Sequence, residues 1–222
     1  MTRRELRQYR QEFDADLRRI LAHRPPGSLD EQGVPSYTHS NPLMSWLFWE
    51  RLRVVITELE RKPVVRALDF GCGAGVMLPA LMRVAKVVFA CDLDLEAARE
   101  ISKKKGWKEV RWVDGLEGLS QLAPGSFDTI IGLDVLEHVE SMEEVAVRLA
   151  GLLTPTGRMI VSGPTETVLY KIGRRLAGFS GHYHVRDIYD VEDHLSKRFQ
   201  RQGLKQLFWP LPLFRISIWE IP

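Results

Sequence analysis

Three glycines at alternate positions, Gly71, Gly73 and Gly75, follow a short apolar stretch that ends in an acidic residue, Asp69. Because glycine has no Cβ, the chain can turn sharply at such positions and a ligand can approach the backbone closely. A turn of this kind between a strand and the start of a helix exposes amide groups that bind nucleotide-like ligands. The third glycine comes one residue earlier than in the G-x-G-x-x-G turn that binds dinucleotides. Together with the acidic residue before the turn, this spacing favours a cationic ligand over a diphosphate.

Two further aspartates, Asp92 and Asp114, end the next two predicted strands. In a doubly wound parallel sheet the second strand ends beside the turn that follows the first, so Asp92 can accept hydrogen bonds from ribose hydroxyls there. Asp94 is interpreted instead as the cap of the next helix. For Asp114, a plain capping role for a helix over residues 116–122 is the alternative to ligand binding.

Predicted strands and helices alternate from residue 64 to residue 162, which indicates a parallel sheet with helices on both faces. Helix-start signals before the sheet, Thr2 with Glu5 and Asn41 with Pro42, predict two N-terminal helices. The predicted strands cover residues 64–68, 87–91, 110–114, 127–133, 158–162, 204–209 and 214–220.

The composition is that of an ordinary globular protein. The 222 residues suffice for one sizeable domain, and a net charge of +2 gives no reason to expect a nucleic-acid partner. The two cysteines, Cys72 and Cys91, have no metal-site spacing and favour a reduced, cytoplasmic protein. No apolar run approaches the roughly 18 residues of a transmembrane helix, so neither secretion nor membrane spanning is expected.

The string Leu68–Gly75, Leu-Asp-Phe-Gly-Cys-Gly-Ala-Gly, resembles motif I of the class I S-adenosylmethionine-dependent methyltransferases. The aspartates that end the second and third predicted strands are similar to the ribose and adenine positions of that family. The string Asp134–Val139 looks like motif IV of its methyltransferase type 11 group. The resemblance implies S-adenosylmethionine as the cofactor, bound by Asp69, Gly71, Cys72, Gly73, Gly75, Asp92, Leu93, Asp114, Gly115, Leu133 and Asp134.

The same resemblance implies an α/β fold with a Rossmann-like, doubly wound, seven-stranded and mostly parallel sheet. Helices are expected on both faces, with an antiparallel last strand and additional N-terminal helices. The methyltransferase domain is expected over residues 63–222, with residues 163–190 as an insertion on the acceptor side. Residues 1–62 are expected to form a helical extension that packs on the core or acts as a lid.

Recognition of the methyl acceptor is expected mainly in residues 163–190, over the open end of the sheet where ligands of doubly wound folds bind. The mixture of charged and aromatic residues in this segment suits a polar or anionic group on an apolar body. The predicted acceptor-binding residues are Tyr37, Trp46, Glu166, Tyr170, Arg174 and Tyr183. If the acceptor must lose a proton, a base is needed, and the candidates are His182, His184 and His138.

Two other features leave alternatives open. Asp134, Glu137 and His138 have helical i, i+3, i+4 spacing, and some members of the family bind a divalent metal through a similar string, although no metal is predicted here. Basic residues within 171–175 and 197–201, together with the aromatic stretch from Phe208, suggest peripheral contact with an anionic membrane.

The sequence therefore predicts an enzyme that methylates a small or amphiphilic metabolite, with oxygen as the favoured atom. The partner is expected to be a small-molecule or lipid-like acceptor, and no nucleic acid is expected. One alternative is a non-catalytic, cofactor-binding partner subunit with the same fold. The other is an NAD-dependent oxidoreductase, which the glycine spacing disfavours.

Overall fold

The computed structural model describes residues 1–23, 41–165, 186–208, 210 and 212–222. Its centre is a seven-stranded sheet with the strand order β3-β2-β1-β4-β5-β7-β6. The strands are β1 (Val64–Phe70), β2 (Ala85–Asp92), β3 (Val110–Asp114), β4 (Phe127–Leu133), β5 (Leu153–Pro164), β6 (Gln200–Leu207) and β7 (Phe214–Glu220).

Helices of very different length surround this sheet in the described part of the chain. They are α1 (Arg3–Leu21), α2 (Pro42–Leu59), α3 (Leu78–Val84), α4 (Glu96–Lys105), α5 (Gly115–Ser120), α6 (Met142–Leu152) and α7 (Ile188–Ser196), with a short 3-10 helix at Leu136–His138. None of these helices is long and apolar enough to cross a lipid bilayer.

The topology confirms the predicted fold class. Strands β1 to β5 pair in parallel, whereas β7 runs antiparallel to both of its neighbours, β5 and β6. Helices α1 to α4 pack on one face of the sheet, and α6 and α7 pack on the other. The strand order reverses between β1 and β4, and a ligand crevice opens at the carboxyl ends of the strands at such a point.

Strands β5 and β6 differ most from their predicted bounds, whereas β1 and β2 differ by at most two residues at either end. Strand β5 begins at Leu153 instead of Arg158, because Leu153 already pairs with Phe127 and a register shift accommodates the residues between. Strand β6 begins at Gln200 instead of Leu204 and ends at Leu207. As an edge strand it pairs through its backbone, so its polar first half carries no apolar pattern that would predict it.

Both predicted N-terminal helix starts are confirmed. The Thr2 hydroxyl accepts a hydrogen bond from the Glu5 amide at 3.2 Å, and the Glu5 carboxylate accepts one from the Thr2 amide at 2.6 Å. At α2, the Asn41 side chain accepts a hydrogen bond from the Leu43 amide at 2.9 Å, next to a proline in the first turn. Such caps replace the bonds that the first helical amides lack.

Helices α1 and α2 bury apolar side chains in the same cluster as β1 and α3. Phe13 and Leu17 of α1 are fully buried, and Trp49 of α2 packs edge-on against Phe13 at 6.3 Å between ring centroids. Burial of each such side chain contributes about 1.5–3 kcal/mol. The Tyr9 hydroxyl also donates to the Val76 carbonyl at 3.0 Å, so α1 contacts the chain directly after the glycine turn.

Candidate active site

The three glycines after β1 all have positive φ angles, +74° at Gly71, +51° at Gly73 and +83° at Gly75. The amides of Gly71 and Cys72 donate to the Cys91 carbonyl at 2.8 and 3.0 Å, which ties the turn to the end of β2. A Cβ at Gly71 would lie 2.3 Å from a methyl carbon of Val135, in the segment after β4. The turn is therefore packed between the ends of two neighbouring strands.

The Asp92 carboxylate lies directly beside this turn. One of its oxygens accepts a hydrogen bond from the Gly73 amide at 2.7 Å, and the other accepts one from the Leu93 amide at 2.8 Å. Burial raises the pKa of Asp92. The side chain of Leu93 is 92% exposed, and a Cβ at Gly115 would lie 3.4 Å from it. The exposed Leu93 side chain and Gly115 therefore lie next to each other, at the positions predicted to bind the nucleoside.

Asp114 lies next to Asp92 in the register of β2 and β3. Its exposed carboxylate accepts hydrogen bonds from the Arg99 guanidinium at 3.1 and 3.3 Å. Asp114 occupies the N-cap position of α5, but its side chain makes no capping hydrogen bond there. Asp94 does bond to the start of α4, since it accepts a hydrogen bond from the Glu96 amide at 2.8 Å.

Asp69 is the most unusual group of the site. It is only 3% exposed, and its Oδ2 atom has no hydrogen-bond partner in the described structure. Burial, and secondly the nearby charge of Asp92, raises its pKa to about 8. A buried carboxylate oxygen without a hydrogen-bond partner is costly, and a cation or a hydrogen-bond donor would relieve that cost. Asp69 therefore fits a cationic ligand, as the sequence predicts.

The two cysteines beside this site are buried and remain thiols. Burial is the main cause that raises the pKa of Cys91 to about 12 and that of Cys72 well above its usual value. Because the thiolate is the reactive form of cysteine, neither side chain is suited to act as a nucleophile. Cys72 is therefore a buried packing residue of the glycine turn.

The raised pKa of Asp69 has a consequence for stability. It shifts from 3.8 to about 8 on folding, so the folded state binds a proton more strongly between these pH values. The free energy of unfolding should therefore fall as pH rises from about 4 to about 8. An Asp69→Asn variant is neutral throughout and should lose part of this slope, which urea unfolding at pH 5, 6, 7 and 8 will measure. An exposed carboxylate, Asp193, provides the control Asp193→Asn, and equal slopes in all three proteins would contradict the burial of a charge at Asp69.

Asp134 follows β4 and lies near the other side of the glycine turn. It has a positive φ of 53°, which is rare for a residue other than glycine. Its Oδ2 atom forms an ion pair with Arg51 of α2, whose side chain is completely buried, whereas Oδ1 is buried without a hydrogen-bond partner in the described structure. Leu133, the last residue of β4, is buried beneath it. Sequence reasoning missed Arg51, although an arginine inside an apolar, aromatic helix was a usable signal.

The structure does not place Asp134, Glu137 and His138 on one helical face, which was the geometric reason to consider a metal site. Only Leu136–His138 is helical, as a 3-10 turn, and the positive φ of Asp134 takes that residue off the expected helical face. Within the described residues, no group of three side chains is placed to hold a metal ion. His138 is exposed, and its role as a base stays a prediction.

Of the remaining predicted residues, Trp46 lies in the part that the structure describes and seven lie outside it. Trp46 is 47% exposed, and its ring lies 5.5 Å from that of Phe208. The basic residues of 197–201 already face carboxylates, for example Arg198 with Glu143 at 2.6 Å, which weakens the case for contact with an anionic membrane. Seven predicted residues lie outside the part that the structure describes: Tyr37, Glu166, Tyr170, Arg174, His182, Tyr183 and His184.

Comparison with known proteins identifies similar sequences. The chain is 36% identical over 120 residues to the ubiquinone biosynthesis O-methyltransferase of Xanthomonas euvesicatoria pv. vesicatoria, covering 53% of this chain and 50% of that protein. It is 30% identical over 142 residues to the mitochondrial ubiquinone biosynthesis O-methyltransferase of Schizosaccharomyces pombe, with coverages of 61% and 50%. The chain thus spans about half the length of these curated relatives.

Solved structures share the fold at low identity. The N-methyltransferase NodS from Bradyrhizobium japonicum WM9, in complex with S-adenosyl-L-homocysteine, aligns with a TM-score of 0.63 and 20% identity over 95% of this chain and 98% of that one. The PH0226 protein from Pyrococcus horikoshii OT3 aligns with a TM-score of 0.66 and 19% identity over 85% and 96%. A family model for a methyltransferase domain matches residues 6–210. The chain therefore belongs to the class I S-adenosylmethionine-dependent methyltransferases.

Proposed function

We propose that the protein transfers a methyl group from S-adenosylmethionine to a hydroxyl oxygen of a small or amphiphilic acceptor. The observation that carries the cofactor half of this proposal is the buried, unpartnered carboxylate oxygen of Asp69 beside the glycine turn. S-adenosylmethionine carries an ammonium and a sulfonium group, so it supplies the cation that this site lacks.

The residues that we propose to bind the cofactor follow the carboxyl edge of the sheet in strand order. The turn from Asp69 to Gly75 would hold the methionine end, and Asp92 would accept hydrogen bonds from the ribose hydroxyls. Leu93, Asp114 and Gly115 adjoin at the next position, where adenine would lie. Leu133 and Asp134 stand on the opposite side of the turn, where the methyl group would face the acceptor.

The cofactor supplies a methyl group that is already activated on sulfur. The protein's part is to hold the acceptor oxygen in line and to exclude water. Well-aligned neighbouring groups gain about 7–11 kcal/mol over free reactants. The elements that would do so here are the glycine turn, which is packed against Val135, and α2, which is held to the end of β4 through Arg51.

Oxygen as the methylated atom is supported by the two relatives named O-methyltransferases, although the chain matches only half of each. The small acceptor, a cytoplasmic location and peripheral membrane contact stay predictions. The role of a histidine as the base also stays a prediction, because His182 and His184 lie outside the described residues.

Replacement of Asp92 tests the cofactor assignment. Asp92→Ala should weaken S-adenosylhomocysteine binding about tenfold or more, since hydrogen bonds to a charged group contribute about 1.5–3 kcal/mol each. The neighbouring Asp94→Ala is the matched control, because it removes a bond to the Glu96 amide and should leave the affinity unchanged. Isothermal titration calorimetry gives both dissociation constants. Equal affinities for wild type and Asp92→Ala, with the circular dichroism spectrum intact, would refute the assignment.

A further inference from the structure

A groove lies between α7 and the antiparallel strands β6 and β7, on the face of the sheet that α6 and α7 cover. Its volume is about 520 Å³, and small-molecule sites commonly occupy about 300–1,000 Å³. Strands β4 and β5 lie between β1 and β7 in the sheet, so three strand spacings, roughly 14 Å, separate β7 from the strand that precedes the glycine turn. The groove is therefore distinct from the proposed cofactor site.

Both sides of the groove carry charged and aromatic side chains. Tyr189 and Glu192 of α7 are three residues apart, so they share one face of that helix. Arg215 and Trp219 of β7 are four residues apart, so they share one face of the sheet. Arg201 pairs with Trp219 in the register of β6 and β7. The fold thus brings two arginines, a carboxylate and two rings to one place.

Glu192 bonds to both arginines. Its carboxylate belongs to a residue that is 5% exposed, and it accepts hydrogen bonds from Arg215 at 2.6 and 3.2 Å and from Arg201 at 3.1 Å. In the part of the chain that the structure describes, no second carboxylate forms an ion pair with either arginine. Because arginine stays protonated in proteins, two guanidinium groups beside one carboxylate leave at least one unit of positive charge. This surplus exists whatever the protonation state of Glu192.

Neighbouring charged groups do not cancel this charge. Asp193, which also lines the groove, has Lys197 as its own partner at 3.8 Å, and Arg198 pairs with Glu143 at 2.6 Å. Arg215 is only 7% exposed, so water screens its charge weakly. A cation held away from water is stabilised by a nearby anion, so the surplus charge favours an anion from outside the chain.

The two rings indicate what the anion is attached to. The Arg215 guanidinium carbon lies 4.7 Å from the centre of the Tyr189 ring, and Tyr189 is still 43% exposed. The Arg201 guanidinium carbon lies 5.7 Å from the centre of the Trp219 ring, and the Arg201 side chain is 44% exposed. Arg201 donates to Glu192 through Nη1 and has further N–H groups that an anion can reach. An exposed ring beside an exposed guanidinium suits a ligand with a flat apolar group and one negative charge.

We propose that this groove is a second binding site, for an organic anion of single charge that carries a flat apolar ring. The anionic group pairs with Arg201, and the ring stacks on Tyr189. One negative charge matches the surplus better than the two charges of a phosphate monoester, because Glu192 and Asp193 repel the second charge. The site lies apart from the methyl-transfer centre and does not depend on the proposed function.

Indole-3-acetate is the probe, because it joins a carboxylate to a flat ring, and indole-3-acetamide is its neutral counterpart. Calorimetric titration of the full chain should give one saturable site for indole-3-acetate and at least about tenfold weaker binding of the amide, since the pairing with Arg201 needs the charge. Saturating S-adenosylhomocysteine should leave the dissociation constant of indole-3-acetate unchanged, because the two sites are separate. Competition between the two ligands, or equal affinities for the carboxylate and the amide, would overturn the inference.

Arg201→Met should weaken indole-3-acetate about tenfold or more, whereas Arg198→Met, at an exposed arginine with its own carboxylate, should leave its affinity unchanged. Glu192 keeps its bonds to Arg215 in the Arg201 variant, so the fold should persist, which urea unfolding checks. Tyr189→Leu should weaken the probe several-fold, and Tyr189→Phe, which keeps the ring, should not.

Absence of saturable indole-3-acetate binding to wild type, or an unchanged affinity in a folded Arg201→Met, would contradict the inference. An equal loss in Arg201→Met and Arg198→Met would indicate only non-specific attraction by positive charge and would contradict it as well. If Arg201→Met does not fold, the comparison of the carboxylate with the amide and the two Tyr189 variants decide the question.

Discussion

Gly71→Ala is expected to abolish measurable cofactor binding and to lower the free energy of unfolding by about 2–5 kcal/mol. Two causes add together. Residue 71 has a φ of +74°, a conformation that costs an alanine about 1–2 kcal/mol. Its Cβ would also lie 2.3 Å from a Val135 methyl carbon and 2.4 Å from the Val135 Cβ, so either the turn or the segment after β4 must move. Such overpacking typically costs about 1–3 kcal/mol.

Gly106→Ala is a matched control for this effect. Gly106 ends α4 with a φ of +70°, but a Cβ there would meet no atom within 4 Å. It should therefore lose only the conformational cost of about 1–2 kcal/mol and keep full affinity for S-adenosylhomocysteine. Urea unfolding and calorimetric titration of both variants measure the difference. If Gly71→Ala behaves like Gly106→Ala in both assays, the close packing of the turn against Val135 is wrong.

Arg51→Met is expected to destabilise the protein by about 2–4 kcal/mol, which is the second largest effect. Removal of one partner from a buried ion pair usually costs about 3–5 kcal/mol because the other charge is left uncompensated. The expected value here is lower because the Asp134 carboxylate is 27% exposed and retains some contact with water. Methionine keeps most of the volume against Phe48 and Phe214, so the change tests the charge more than the packing.

Arg198→Met provides the comparison for Arg51→Met. Arg198 pairs with Glu143 at 2.6 Å, but both side chains are exposed, and such pairs contribute about 0–1 kcal/mol. Chemical unfolding at neutral pH will give both values. A loss for Arg51→Met no larger than that for Arg198→Met would show that the pair with Asp134 does not hold α2 to the end of β4.

Much of the sheet is predictable from local sequence, for identifiable reasons. The bounds of β3, β4 and β7 agree with the predicted ones because each is short and rich in β-branched and aromatic residues. The edge strand β6 does not follow this rule, since Gln200, Arg201 and Gln202 need no buried neighbours to pair through the backbone. Its strand structure depends on β7, which lies further along the chain.

The cofactor side of the site is also predictable. Asp69 and the three glycines are adjacent in sequence, and parallel topology then places the end of β2 beside them. The parallel pairing of β1 and β2 therefore brings Asp92 to the Gly73 amide. Local sequence does not reveal that Asp69 is buried without a partner, because that depends on packing from several elements.

The end of β4 is less predictable because its contacts are distant in sequence. Arg51 and Asp134 come from α2 and the end of β4, with β1, β2 and β3 between them in the chain. Helical spacing at Asp134, Glu137 and His138 suggests a shared face, but the positive φ of Asp134 separates that residue from the turn that follows. A conformation of this kind at an aspartate has no reliable local signal.

A calorimetric titration of the wild-type protein with S-adenosylhomocysteine, and separately with NAD, tests the central claim most directly. The glycine turn and the carboxylates of Asp69 and Asp92 predict one saturable site per chain for S-adenosylhomocysteine and no binding of NAD. Saturable binding of NAD, or no binding of S-adenosylhomocysteine by a protein that unfolds cooperatively, would contradict the account.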